Sequence, residues 1–216
     1  MQKITKADAL KKIHDCAVLY GKNLSGKCVL FVAASDDDTI GFESLFMPHN
    51  FNHLTGVDTK LSGDEFFRAS FSNKLSVNEI TLKPKGITEQ KLNVLPQLMN
   101  IHTAARMIGD FDNSRPLLIA DKFAGTVTMA MGFVNVNGFY MPKTALKLDV
   151  REITTQATRR KVAAIFVKAR HDSEYKTLTY IAKGLAVDDD ALLPSLRGKV
   201  DMQNLTAAFP IPRKSL

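Results

Sequence analysis

The sequence predicts an α+β fold, with N-terminal and middle helices packed on an antiparallel β-sheet, and three observations lead there. Apolar residues recur at three- and four-residue steps near the start, and β-rich runs with a tight turn signal fill the second half. A composition of 45% apolar and 24% charged residues supports a real core. At 216 residues the expectation is one domain over 1–184, its core about 20–180, with a peripheral segment over 185–216.

The first helix is expected from Thr5 to about Leu24. Leu10, Ile13, Ala17, Tyr20 and Leu24 share one face, and Thr5 with Asp8 has the spacing of a capping box. Ser25-Gly26 ends it. Lys27 to Ala34 reads as a strand, Ser35 to Asp38 as a turn, and Thr39 to Phe46 as the return strand of a hairpin. Ser62 with Glu65 opens a helix through Phe66, Phe67 and Phe71. Thr88 opens another carrying Leu92, Leu95, Leu98, Met99 and Ile101, and Pro96 predicts a kink or break near Val94 to Leu95. Strands are expected at Leu117–Ala120, Thr126–Val134, Phe139–Met141 and Lys161–Lys168, with Asn137-Gly138 as a hairpin turn. Tyr175 to Ala182 reads as a further strand or a short helix. From Asp188 onward, prolines and scattered charge predict irregular chain.

Charge and motifs narrow the function classes. The excess of 29 Lys+Arg over 22 Asp+Glu gives +7, which favours a polyanionic partner over a merely soluble basic surface only modestly. Cys16 and Cys28 lack the companions of a thiolate metal site and read as free, buried thiols. No stretch approaches the ~18 apolar residues of a spanning helix, and the N-terminus fits no signal peptide, so a cytoplasmic protein with no membrane partner is expected. Gly-rich phosphate loops, a Rossmann fingerprint, a zinc-protease motif and a nucleophile elbow are all missing, and no cofactor is expected.

Four polar segments in apolar surroundings are the candidates. In Asn52-His53-Leu54-Thr55-Gly56-Val57, an extended chain would point His53 and Thr55 to one face, where both could meet a phosphate. Alternatively His53 is a structural histidine and Thr55 caps a turn. Arg106 can fork two phosphate oxygens or pair with Asp110. Lys122, near Gly125, is either a phosphate contact or a solvated edge lysine. Tyr140 stacks on a base or packs across strands, and Lys143 and Arg151 are candidate phosphate contacts. The run Arg159-Arg160-Lys161 is a basic patch able to steer RNA.

These segments carry a resemblance. Phe51 to Val57, Leu95 to Met99, Ala105 to Asp110, Gly132-Phe133 with Tyr140-Met141-Pro142, and Asp149-Val150-Arg151 resemble, in order and spacing, the phage-associated branch of the Barnase–EndoU–colicin–RelE-like (BECR) nucleases. The similarity spans Tyr20 to Tyr180. It implies one or two helices on a four-stranded antiparallel sheet, an active site on the exposed sheet face, and metal-independent RNA cleavage. On that resemblance His53 is the general base or acid, Thr55 a phosphate donor, and Arg106 and Lys122 charge stabilisers. Tyr140, Lys143 and Arg151 would bind substrate. A second catalytic histidine or glutamate is not evident; His102, His171 and Glu43 are the reserves.

Three functions are open at this point. One is a ribonuclease toxin cleaving RNA by 2′-OH transesterification, with RNA as substrate and an immunity or host protein as partner. The second is a catalytically silent nucleic-acid- or protein-binding phage effector, such as an inhibitor of host defence. The third, a structural phage protein, predicts assembly into large particles.

Overall fold

Thr5 starts the chain's first helix as its spacing requires: its side chain accepts from the Asp8 amide at 3.1 Å, and α1 runs Lys6–Asn23. The computed structural model describes residues 4–33, 40–115 and 117–214 of the protein; the turn expected at Ser35 to Asp38 lies outside them. Strands β1 (Lys27–Ala33) and β2 (Ile40–Phe46) pair antiparallel as the expected hairpin, with Lys27 opposite Phe46.

A helical layer follows. A short 3-10 turn at Pro48–Asn50 leads directly into α2 (Phe51–Thr55), which ends at Gly56 in the left-handed region. The two-residue strands β3 (Val57–Asp58) and β4 (Thr81–Leu82) flank α3 (Gly63–Phe71). The Ser62–Glu65 capping box is formed reciprocally, an arrangement worth about 1 kcal/mol at its serine. Of the kink or break expected near Val94 to Leu95, the break does not occur: helix α4 runs continuously over Ile87–Leu98. Pro96 falls in its last turn, where little helix remains to lose. Ile101 belongs to a separate turn, α5 (Ile101–Ala104).

The second half is sheet: β5 (Met107–Asp110), β6 (Lys122–Gly125), β7 (Ala130–Val136), β8 (Phe139–Leu146), β9 (Arg160–Ala169) and β10 (Thr177–Ile181). Asn137 and Gly138 both have positive φ, 52° and 90°, as a two-residue hairpin turn demands. Leu117–Ala120 is not a strand; Leu117 is fully exposed and the segment lies between β5 and β6. Helix α6 (Leu193–Leu196) and β11 (Thr206–Ala207) complete the order.

Nine of the eleven strands form one mostly antiparallel sheet in the order β1-β2-β8-β7-β6-β5-β9-β10-β11, larger than the four strands the resemblance implied, and β3 pairs with β4 alone. An additional β1–β9 pairing closes seven of the strands into a ring. The joint between β2 and β8 is a single parallel pair, Ser44 with Tyr140, and α2 packs beside β8 there. Helices α1 and α4 bury Ile13, Tyr20, Leu92 and Leu95 in the same apolar cluster as Val29, Phe31, Phe133 and Ile165 of the strands. A second cluster combines Leu30, Val32, Phe166 and Leu178 with Val187, Leu192, Leu196, Val200 and Leu205. The segment after Gly184 thus contributes five buried apolar residues to the second cluster.

Candidate functional site

The order in which α2 buries its residues decides what His53 does. Phe51 and Leu54 are fully buried, and the Phe51 ring meets Tyr20, Phe66 and Phe67 at centroid distances of 5.3, 6.2 and 5.8 Å. Tyr20 in turn donates its hydroxyl to the Met47 carbonyl at 2.8 Å, fixing the entry to the helical turn. With positions 51 and 54 turned inward, helical geometry turns 53 outward, and His53 is exposed.

Thr55 is lost to the site by the same geometry. The segment is helical, so His53 and Thr55 do not share a face as an extended chain would arrange. Thr55 is fully buried, donates to the Asn52 carbonyl at 2.8 Å and accepts from the Val57 amide at 3.4 Å. No phosphate can use it.

What replaces it comes from α4. Lys91 lies on the same helical stripe as Thr88, Leu92, Leu95 and Leu98, a buried face on which a lysine stands out. Its ammonium donates to the His53 carbonyl at 3.1 Å and to Thr144 Oγ1 of β8 at 3.0 Å. One hydrogen bond thus caps an orphan carbonyl of α2, and the other ties the helix to the strand. Thr88, one turn earlier, donates to the Gly56 carbonyl at 2.5 Å. Burial, followed by repulsion from Lys83, pulls the Lys91 ammonium down to about 8.

Strand β8 adds Lys143. The β7–β8 register shifts so that Gly132 faces Thr144 and Phe133 faces Pro142, which leaves Lys143 as the extra residue of a bulge. Pro142 has no amide hydrogen to give to a ladder, and a bulge is where a strand accommodates it. The His53 imidazole is held below its ordinary value by partial burial, then by Lys143, Lys91, His49 and Lys83. An exposed imidazole that is neutral at pH 7, ringed by cations, can accept a proton beside a bound anion.

The other expected residues lie elsewhere. Arg106 is on the far side of β6 and β7 from β8. Its guanidinium donates to the Thr103 and Ala105 carbonyls at 2.8 and 2.9 Å and sits 4.1 Å from the centroid of the Tyr180 ring. Convergence of His53, Thr55 and Arg106 does not occur. Lys122 forms an ion pair with Asp110 and lies 5.5 Å from the Tyr140 ring centroid. Tyr140 also packs edge-on against Phe42 at 5.1 Å, so it is a cross-strand aromatic three residues from Lys143, roughly 10 Å along β8. Arg151 is clamped by Asp149, with Nε at 2.8 Å and a terminal nitrogen at 2.5 Å from one carboxylate oxygen. Arg159 and Arg160 donate to nearby backbone carbonyls.

Of the reserve residues, Glu43 on β2 stands 4.0 Å from Lys199 and neighbours Tyr175. His102 has a buried Nδ1 with no hydrogen-bond partner. Cys16 and Cys28 are free and buried. Among the described residues no three His, Cys, Asp or Glu side chains gather as a metal-holding group, and no helix is long and apolar enough to cross a membrane.

Comparison with known proteins agrees with the resemblance. A family model described as phage-Barnase-EndoU-ColicinE5/D-RelE like nuclease4 (PBECR4) matches residues 12–184. No curated protein and no solved structure matches the chain. The matched span runs from within α1 through β10 and includes every residue of the His53 cluster, so the chain belongs to the PBECR4 family of phage BECR-like nucleases.

Proposed function

We propose that this protein cleaves RNA by 2′-OH transesterification without a metal, at the cluster of His53, Lys91, Lys143 and Thr144. The observation that carries the reading is the Lys91 ammonium, bonded at once to the backbone of His53 and the hydroxyl of Thr144.

The chemistry follows from the two groups. Neutral His53 takes the proton from the ribose 2′-hydroxyl as that oxygen attacks phosphorus. Lys91 carries three N–H hydrogens, two of them engaged, and the third is available to the leaving group. As the bond from phosphorus to the 5′-oxygen breaks, Lys91 delivers its proton to that oxygen, and Lys143 offsets the charge of the phosphorane. Products are a 2′,3′-cyclic phosphate and a 5′-hydroxyl. An imidazole pushed down and an ammonium pulled toward neutrality divide base and acid roles between them.

The test is cleavage of a defined RNA by purified protein in EDTA, with end-group analysis. Wild-type protein should yield cyclic phosphate ends, and His53→Ala should lose about 10²–10⁴ of the rate while keeping its fold. Full activity in His53→Ala refutes the assignment. A second reading, a catalytically silent nucleic-acid- or protein-binding effector, is favoured by the internal engagement of Thr55 and Arg106. It predicts a stable complex and no turnover in the same assay.

A further inference from the structure

Beside the His53 cluster lies a hollow of about 460 Å³ at the start of α4, and nothing in the cleavage chemistry uses it. Lys6, Lys83, Lys85, Gly86, Thr88 and Glu89 are among the residues that line it. We propose that this hollow is a second phosphate subsite, which holds the phosphate one nucleotide away from the scissile one in a single-stranded polynucleotide. The inference rests on the reading of the His53 cluster as an RNA site and extends it from one phosphate to a path.

Three features support the placement. First, the cations are in excess: three lysines face one glutamate. Lys6 uses one hydrogen on the Val77 carbonyl at 3.0 Å, and Lys83 shares charge with Asp58 at 3.2 Å. Lys85 is exposed and forms no ion pair among the described residues. Second, the hollow is joined to the catalytic cluster through shared residues. Lys83 lines it and also repels both His53 and Lys91, while Thr88 lines it and holds the Gly56 carbonyl. Third, the two places share one stretch of helix: Thr88 of the hollow and Lys91 of the cluster are three residues apart on α4, an axial advance of roughly 4.5 Å. A free mononucleotide would meet the same lysines, and chain length is what separates the two sources.

The experiment is binding of 2′-O-methyl oligonucleotides, which lack the attacking hydroxyl, measured by fluorescence anisotropy over a salt series. The variants are Lys6→Glu/Lys85→Glu and, as a control of equal net charge, Lys74→Glu/Lys183→Glu, both exposed pairs. For a hexanucleotide the first pair should weaken binding at least about tenfold and flatten the salt slope by roughly 0.7 for each phosphate no longer neutralised. A dinucleotide, with its single phosphate, should bind all the proteins alike. Equal losses in the two pairs, or an equal loss with the dinucleotide, overturn the subsite. Absence of cleavage in wild-type protein bears on the catalytic reading alone, because this measurement involves no turnover.

Discussion

The Lys91 ammonium sits 3.1 Å from the backbone carbonyl of His53 while the imidazole of that same histidine faces solvent. Position and chemistry are thereby coupled: the group that would protonate the leaving oxygen also holds the helix that presents the base. Replacing Lys91 by Met should cut RNA cleavage by about 10²–10⁴. Its melting temperature should stay within about 4 °C of wild type, because removing a desolvated charge offsets the lost hydrogen bonds. Parallel melting curves and initial rates check this.

Gly56 gives a backbone test of the same coupling. It closes α2 at φ 70°, and a Cβ there would stand 2.7 Å from Lys91 Cδ. Gly56→Ala should cost about 1–2 kcal/mol for the left-handed backbone and, in addition, displace Lys91 and lower activity. Gly26→Ala is the control, since Gly26 has φ 74° but open space around its Cβ position. It should lose stability to a similar degree and keep its cleavage rate. Denaturant melts and rate measurements on the two variants decide it.

Arg106→Ala tests the separation of the guanidinium from the site. Its partners are two carbonyls and the Tyr180 ring, so the substitution should lower stability by about 0.5–1 kcal/mol and leave the cleavage rate near wild type. A loss of rate as large as that of His53→Ala would return Arg106 to the catalytic centre.

Acid sensitivity should trace to His102. Burial, then Lys27, lowers its imidazole from 6.5 to about 4, and its Nδ1 has no partner. The neutral form is thus the folded one. As pH falls from 6.5 toward 4 the unfolded chain binds this proton first, so stability declines through that window and levels off below it. His102→Gln should flatten the decline, as melting temperatures at a series of pH values would record.

How far the sequence carried these conclusions depends on the range of the interaction. Thr5 with Asp8, Ser62 with Glu65 and Asn137-Gly138 are short-range signals, and each formed as its spacing dictates. The segment at His53 went wrong over a local cue that was present: Pro48 at the start and Gly56 just past the end mark a short helix, in which Thr55 turns inward. Lys91 left a fainter sign, a lysine on the stripe of Thr88, Leu92 and Leu95. Its partners are 38 and 53 residues away, and no local pattern encodes them. Arg106 read as a phosphate clamp or a partner of Asp110, whereas its acceptors are backbone carbonyls and its ring partner is Tyr180, more than seventy positions on.

The most direct measurement is the pH dependence of RNA cleavage between 5 and 9 in EDTA, for wild-type protein and Lys91→Arg. A neutral base at His53 and an acid at Lys91 predict a bell, rising below the ordinary imidazole value of 6.5 and falling near about 8. Arginine stays charged across this range, so the slow residual reaction of Lys91→Arg should lack the falling limb. An alkaline limb unchanged by Lys91→Arg would contradict the pairing of imidazole and ammonium.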